Sequence, residues 1–184
     1  MLSSDDAVLA VAEGWDGEIP GRTLLQKVAY FLSVLTGSDL GFRPHYYGPY
    51  SPLIAATVNE RVALGELQET VRNSPRTFEG HDDEKRFYVY QLTARGKRAV
   101  EIHRSWNPPE FERAVEIARK IKELGADYMQ LAFASKLHLI IRAQKEKPIT
   151  VEQIRAAAEE LDWPLSEEDV RQGATVLGAL ASAL

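Results

Sequence analysis

The stretch "SPLIAATVNERVALGELQETVR", residues 51–72, contains residues that typically begin and end a helix, followed by a segment in which apolar and polar residues alternate. Ser51 is a preferred N-cap residue, and Pro52 follows at the first helical position, where its missing N–H costs nothing. Gly65 stands just past the last apolar residue and is typical of a helix C-terminus. The pattern predicts a helix from Pro52 to Leu64, followed by a strand.

Two segments with alternating apolar and polar residues come after this helix. Residues 66–78 read "ELQETVRNSPRTF" and residues 85–92 read "KRFYVYQL". Such period-two alternation is typical of strands. The polar link between the segments predicts the tip of a β-hairpin near Gly80.

Two further helices precede the central one. Ser3 with Asp6 has the capping-box pattern of a short first helix. Thr23 with Gln26 repeats that pattern for a second helix, which Gly37 ends. Three helices followed by a hairpin is the element order of a winged helix, a variant of the helix-turn-helix. The central helix then takes the recognition position, and the hairpin is the wing.

The remainder of the chain is predicted to be helical. Thr93 caps a helix that leaves the wing, and apolar stripes or capping boxes mark four more helices, over residues 108–124, 128–142, 150–161 and 166–183.

These elements predict a mainly α fold with a small β-hairpin. We divide it into a winged-helix-like domain, residues 1–105, and a helical C-terminal extension, residues 106–184. With 45% hydrophobic residues in 184, the chain can bury a sizeable core.

Composition also narrows the classes of function. The chain has no cysteine, which excludes a disulfide framework, a thiolate nucleophile and a sulfur-based zinc site. The N-terminal residues lack the basic start and apolar run of a secretory signal. The most apolar segment, Tyr128–Ile141, falls short of the roughly 20 apolar residues that span a bilayer. We therefore expect a cytoplasmic protein that does not bind membranes.

The net charge of −5 is unevenly distributed. Residues 150–184 contain seven acidic residues and only two arginines. Residues 70–105 contain eight basic residues against five acidic ones. Only this middle region has a charge that favours nucleic acid.

Three blocks of sequence together resemble a known family. They are "GRTLLQKVAYF" (residues 21–31), "PHYYGPYS" (44–51) and "YQLTARG" (90–96). In this order they resemble the YwgA-like proteins of bacteria and archaea, which are similar to the Panacea or SocA-like antitoxin domains. The resemblance covers roughly residues 20–100. It implies a winged-helix-like fold and a role in binding proteins, and it brings no catalytic residues.

The segment Phe42–Pro52, "FRPHYYGPYSP", is the candidate binding site, and we call it the aromatic loop. One interpretation is structural: at least two of its three tyrosines pack under the central helix. The other is functional: Arg43, His45 and one tyrosine form an exposed rim at the N-terminus of that helix, where the helix dipole and free N–H groups suit an acidic or phosphate partner. The predicted partner-binding residues are Arg43, His45, Tyr46, Tyr47, Tyr50 and Arg61.

DNA is the alternative partner. The central helix offers only Asn59, Glu60 and Arg61 as long polar side chains, a poor set for reading bases. The acidic wing tip would also repel phosphates. If DNA is bound, the predicted contact residues are Arg43, Asn59, Arg61, Arg72, Arg76, Lys85 and Arg86.

Nothing in the sequence indicates catalysis or a cofactor. "HDD" at residues 81–83 has the residue types of a metal site, but the other histidines stand singly without metal-ligand spacing. No phosphate-cradling glycine loop or nucleophile motif occurs. We therefore predict a protein without a metal or cofactor that is not an enzyme.

The last helix leaves the oligomeric state open. Its apolar residues, Val170, Val176, Leu177, Leu180 and Leu184, alternate with small ones, a pattern that suits packing on the neighbouring helices or on a second copy of the chain. The overall prediction is a binding module in regulation or in an antitoxin-like system, with an unidentified protein partner and an alternative homodimer through the C-terminal helices.

Overall fold

The structure, a computed structural model, describes residues 1–73, 86–144 and 148–183. Over these residues it is mainly helical with a small three-stranded antiparallel sheet, which confirms the predicted fold class. The helices are α1 (Ser4–Gly14), α2 (Arg22–Thr36), α3 (Pro52–Ala63), α4 (Ala94–Trp106), α5 (Pro108–Glu123), α6 (Tyr128–Ala143), α7 (Val151–Glu159) and α8 (Glu167–Ala183), and the strands are β1 (Glu18–Ile19), β2 (Leu67–Asn73) and β3 (Arg86–Leu92).

Most of the predicted helix caps are present. Ser51 Oγ accepts a hydrogen bond from the backbone N–H of Ile54 at the start of α3. Thr93 caps α4 in the same way. The capping boxes that begin with Ser3 and Thr150 are both complete. Local side-chain chemistry therefore sets these helix starts.

The predicted capping box of the second helix is wrong. α2 begins at Arg22, and Gly21 occupies the N-cap position with φ 123° and no side-chain cap. The side chain of Gln26 does not reach back to Thr23. Its amide instead bonds both backbone groups of Ser51, a residue 25 positions away in sequence. A long-range contact thus replaces the local one that the spacing suggested.

The sheet contains a strand that the sequence did not reveal. β1 pairs with β3 through Glu18 opposite Gln91 and Ile19 opposite Tyr90, so the strand order is β1-β3-β2. β2 and β3 pair in register from Leu67 opposite Leu92 onward. A strand of two residues is too short to show alternation. The predicted hairpin tip near Gly80 lies outside the described residues.

Helix α1 is the centre of the core. Its residues Ala7–Ala12 are all buried, between α5 on one side and the remaining N-terminal elements on the other. A Cβ placed on Gly14 would lie 2.7 Å from the Cβ of Ala118, so α1 and α5 approach closely. One apolar cluster therefore runs across the predicted domain boundary at residue 105. The division into two domains itself stays a prediction.

A second apolar cluster joins α6, α7 and α8. Trp163, in the segment between α7 and α8, is fully buried within it. Val170, Val176 and Leu180 of α8 are buried inside the chain. This agrees with packing of the last helix on its own neighbours, and the homodimer stays an untested alternative. Over the residues that the structure covers, no helix is long and apolar enough to cross a membrane.

Gly96 provides a test of the packing between α4 and the start of β2. A Cβ on Gly96 would lie 2.1 Å from the carbonyl oxygen of Glu66, a rigid backbone atom. We expect Gly96→Ala to lower the free energy of unfolding by roughly 2–3 kcal/mol, because overpacking forces backbone to move. Urea denaturation measures this change.

Gly178 on α8 is the matched control for this substitution. No described heavy atom outside its immediate neighbourhood lies within 4 Å of its Cβ position. Gly178→Ala should therefore raise the free energy of unfolding by up to about 1 kcal/mol through helix propensity. A Gly96→Ala protein as stable as the parent would show that this approach is not tight.

Candidate functional site

The aromatic loop is a short hairpin. Arg43 and Tyr50 form an antiparallel bridge, exchanging backbone hydrogen bonds of 3.0 Å and 2.9 Å. The backbone N–H of Gly48 donates to the carbonyl of His45 at 2.8 Å and closes the turn. Gly48 has φ 96°, a conformation that glycine adopts without strain. Residues 46 and 47 therefore stand at the tip.

The C-terminal end of the loop is fixed to α2 and to residue 40. Gln26 donates to the carbonyl of Ser51 and accepts from its N–H, both at 3.0 Å. Ser51 Oγ donates to the carbonyl of Leu40 at 2.5 Å while it caps α3. All of these groups are buried, so the hydrogen bonds fix where α3 begins.

A buried lysine holds the middle of the loop. Lys27 is only 2% exposed, and its Nζ donates to the carbonyl of Pro49 at 2.7 Å. A Cβ on Gly48 would lie 3.0 Å from Lys136 Cγ and 3.2 Å from Lys27 Nζ, so the loop passes close over α2 and α6. Burial, together with the nearby Lys136, lowers the pKa of Lys27 to about 7.

The segment between α7 and α8 provides a third attachment. The indole Nε1 of the buried Trp163 donates to the carbonyl of His45 at 2.7 Å. The ammonium of Lys136 lies 5.5 Å from the centroid of the same indole ring. The loop is therefore fixed at its end and its middle by α2 and at its turn by Trp163, between α7 and α8.

The side chains at the tip point into solvent. Tyr46 is 68% exposed and Tyr47 is 63% exposed, and their rings meet edge to face with centroids 4.8 Å apart. Arg43 and His45 are also exposed, and Tyr50 is half-buried. The expectation that at least two of these tyrosines pack under α3 is wrong. Of the loop's aromatic rings, that of Phe42 packs against the core, whereas those of Tyr46 and Tyr47 do not.

Arg61 is not part of this surface. It is only 8% exposed, and its guanidinium pairs with Asp5 of α1 and with Glu66, the latter at 2.7 Å. It joins α3 to the centre of the core. Arg61 was predicted to contact a protein partner or DNA, and its burial rules out both roles. Its Nε is buried without a partner in the described structure.

The outer face of α3, a helix that the structure describes throughout, carries no exposed cation. Its exposed residues include Leu53, Ala56, Asn59 and Glu60. Of the other DNA-contact candidates, Arg72 is exposed on β2, with a nitrogen 3.6 Å from a carboxylate oxygen of Glu18. Arg76, Lys85 and the side chain of Arg86 lie outside the described residues.

A cleft of about 220 Å³ opens beside the loop, and sequence reasoning did not indicate it. Leu25, Ala55 and Val58 contribute apolar surface, and the ring of Tyr50 lines one side. Polar groups come from Arg22, Gln26, Asn59 and Tyr90, of which the Gln26 amide and the Tyr90 hydroxyl are already hydrogen-bonded. The cleft is assembled from α2, the loop, α3 and β3, so no local motif encodes it.

Arg22 is held in place by partners on the sheet. Its Nε donates to Tyr90 Oη at 2.8 Å and its Nη2 to Glu69 at 2.9 Å. Its guanidinium also lies 3.6 Å from the centroid of the Tyr88 ring. Burial, and then the hydrogen bond to Glu69, raises the pKa of Tyr90, so this phenol stays protonated at neutral pH.

Metal-binding residues do not gather in the part of the chain that the structure describes: no group of three or more His, Asp or Glu side chains is arranged to hold an ion there. The "HDD" segment, residues 81–83, lies outside it. Comparison with known proteins gives no match to any family model and no significant match among curated proteins.

The burial of Lys27 predicts a distinctive pH dependence of stability. Its pKa is about 7 in the folded protein, against an ordinary value of 10.5 for a solvated lysine. Between these values only the unfolded chain holds this proton, so stability should rise with pH by up to about 1.4 kcal/mol per unit. Below pH 7 the full penalty of the buried charge is present.

Lys27→Met isolates this contribution, because other titrating groups are common to both proteins. We expect Lys27→Met to have its largest stability advantage over the parent near pH 6. This difference between the two free energies of unfolding should decline as the pH rises from about 7 to 10. Urea denaturation across this range measures the difference. Parallel stability curves for the two proteins would contradict the buried position of the amine.

Proposed function

We propose that the chain is a non-enzymatic protein-binding module that uses the exposed side chains of the aromatic loop. Arg43, His45, Tyr46 and Tyr47 form the centre of the surface, and Leu53 of α3 extends it. The observation that carries the proposal is that two adjacent tyrosines are exposed by more than 60% on a loop with a fixed backbone.

The energetics favour recognition of a protein. Tyrosine and arginine dominate the binding energy of protein interfaces, and a tyrosine ring gives a large contact area with few rotatable bonds. Because the loop backbone is already held by Gln26, Lys27 and Trp163, binding would order little additional chain. Such preorganisation lowers the entropic cost of association.

The resemblance to antitoxin domains supports the same class of function. It matches the chain at the α2 block, at the aromatic loop itself and at the end of β3. We infer a regulatory or antitoxin-like role with a protein partner. The order α1-β1-α2-α3-β2-β3 supports the finer proposal that residues 1–105 form a winged-helix domain, with α3 in the recognition position.

Substitution of the tip tyrosines tests this function. Tyr46→Ala and Tyr47→Ala should each weaken binding of the partner by about tenfold or more, as hot-spot truncations do. The partner would be captured from the native cell extract on the immobilised parent protein, identified by quantitative mass spectrometry and then purified. Its affinity for each variant would then be measured by calorimetry.

Tyr128 is the matched control, because it is exposed at the start of α6, outside the loop. Tyr128→Ala should leave the affinity unchanged. All three variants should unfold at the parent's urea midpoint. Equal affinities for the parent, Tyr46→Ala and Tyr47→Ala would reject the aromatic loop as the binding surface.

The alternative function is a DNA-binding transcription regulator. The order of elements favours it, and so does the exposed Arg43 near the start of α3. The outer face of α3 opposes it, because Asn59 is accompanied there by Glu60 and no exposed basic residue. A recognition helix without exposed cations gains little from the phosphates of DNA.

A titration with duplex DNA at two salt concentrations separates the alternatives. A DNA regulator would bind tightly and lose affinity steeply with salt, and Arg43→Ala or Arg72→Ala would each reduce the salt slope by about one ion. We expect weak binding that neither substitution changes. Arg171→Ala, on the outer surface of α8, is the control. Tight, salt-sensitive binding to a defined duplex would overturn the protein-binding proposal.

A further inference from the structure

The cleft beside the aromatic loop has the size of a subsite for one side chain. Its volume of about 220 Å³ lies below the roughly 300–1,000 Å³ of pockets that enclose a whole small molecule. Its apolar residues include Leu25 and Val58, which are buried in the core. An aliphatic side chain placed there would lose most of its contact with water, which favours binding.

The charge around the cleft favours an anion. Arg43 and Tyr50 exchange both backbone hydrogen bonds, so they stand directly opposite each other with side chains on the same face. Tyr50 lines the cleft, which places Arg43 next to its wall. Among the described residues the guanidinium of Arg43 has no hydrogen bond or ion pair. Within that part of the chain it is an exposed cation without a carboxylate partner.

Two other charged residues lie near the cleft: Arg22, which is paired with a carboxylate, and Glu60. Arg22 is neutralised by Glu69, although its Nη1 makes no bond within the described chain. Glu60 is exposed on α3 next to Asn59, which lines the cleft. The attraction for an anion therefore comes from the side of the loop, at Arg43.

We propose that the cleft receives an aliphatic side chain from an acidic, extended segment of the protein partner, and that a carboxylate two residues away pairs with Arg43. Alternate residues of an extended segment share a face about 7 Å apart. Opposite residues of a hydrogen-bonded pair are about 5.5 Å apart, so one segment can serve both subsites. This inference rests on the proposed protein-binding function and assigns the chemistry of its ligand.

The probe is the peptide acetyl-Ala-Glu-Ala-Leu-Ala-Glu-Ala-amide, which carries a carboxylate two residues to either side of one leucine. Methyl NMR of the full chain would follow Leu25 and Val58 during titration. We expect the methyl signals of both residues to shift. The peptide should bind with a dissociation constant of about 1 mM, as a fragment of an interface does. Absence of shifts at saturating peptide would overturn the proposal.

Two control peptides separate the contributions of leucine and carboxylate. Replacement of both glutamates by glutamine should weaken binding about tenfold, since one charge-assisted contact is lost. Replacement of the leucine by alanine should abolish the methyl shifts. Equal binding of the acidic and neutral peptides would also overturn the proposal, because the carboxylate would then have no role.

Protein variants locate the two subsites. Ala55→Met fills the cleft and should prevent binding, whereas Ala56→Met, its exposed neighbour on α3, should not. Arg43→Gln should bind the acidic and neutral peptides equally. If Ala55→Met does not fold, the peptide series on the parent still decides the question.

The purified partner distinguishes this inference from the function on which it rests. If Tyr46→Ala loses the partner and Ala55→Met retains it, the cleft is not a subsite, while protein binding through the loop stands. If neither substitution changes the affinity, the proposed function itself fails. Loss of affinity in both variants, with Ala56→Met unchanged, supports the two together.

Discussion

The hydrogen bond from the buried amine of Lys27 to the carbonyl of Pro49 fixes the middle of the aromatic loop, between the attachments at Ser51 and His45. The loop lies over α2 and α6, where water cannot reach its inward carbonyls, so each needs a donor from the protein. Lys27 extends from α2 to this depth and is only 2% exposed, so its stem and its amine are both buried. Burying an amine beside Lys136 is costly, which is why its pKa falls. An alkyl side chain would avoid that cost but would leave the carbonyl without this donor.

Features set by neighbouring residues could be predicted from the sequence. The caps at Ser3, Ser51, Thr93 and Thr150 depend on a side chain that bonds a backbone group three residues away, and all are present. The helices, the two longer strands and their order followed from the spacing of apolar residues and from the capping, glycine and proline residues between segments. The winged-helix arrangement and the family resemblance stay predictions.

Features set by distant residues could not be predicted. The exposure of Tyr46 depends in part on Trp163, whose indole bonds the carbonyl of His45 across 118 positions. Arg61 has the residue type of a surface contact, yet it is buried where it pairs with Asp5, 56 positions away in sequence, as well as with the nearby Glu66. Burial of a charged residue is decided by such partners, which spacing along the chain does not reveal. The cleft was missed for the same reason.

Between Arg43 and Tyr50 the aromatic loop is attached to the protein largely by its main chain. Ser51, Pro49 and His45 are each held through backbone groups, and the bridge between Arg43 and Tyr50 is also a backbone contact. The identities of the outward side chains at positions 43, 45, 46 and 47 are therefore separate from the stability of the fold. Substitutions at these four positions would therefore change the surface that the loop presents, while the scaffold beneath stays the same. The outward side chains of the loop thus form a variable surface on a fixed scaffold.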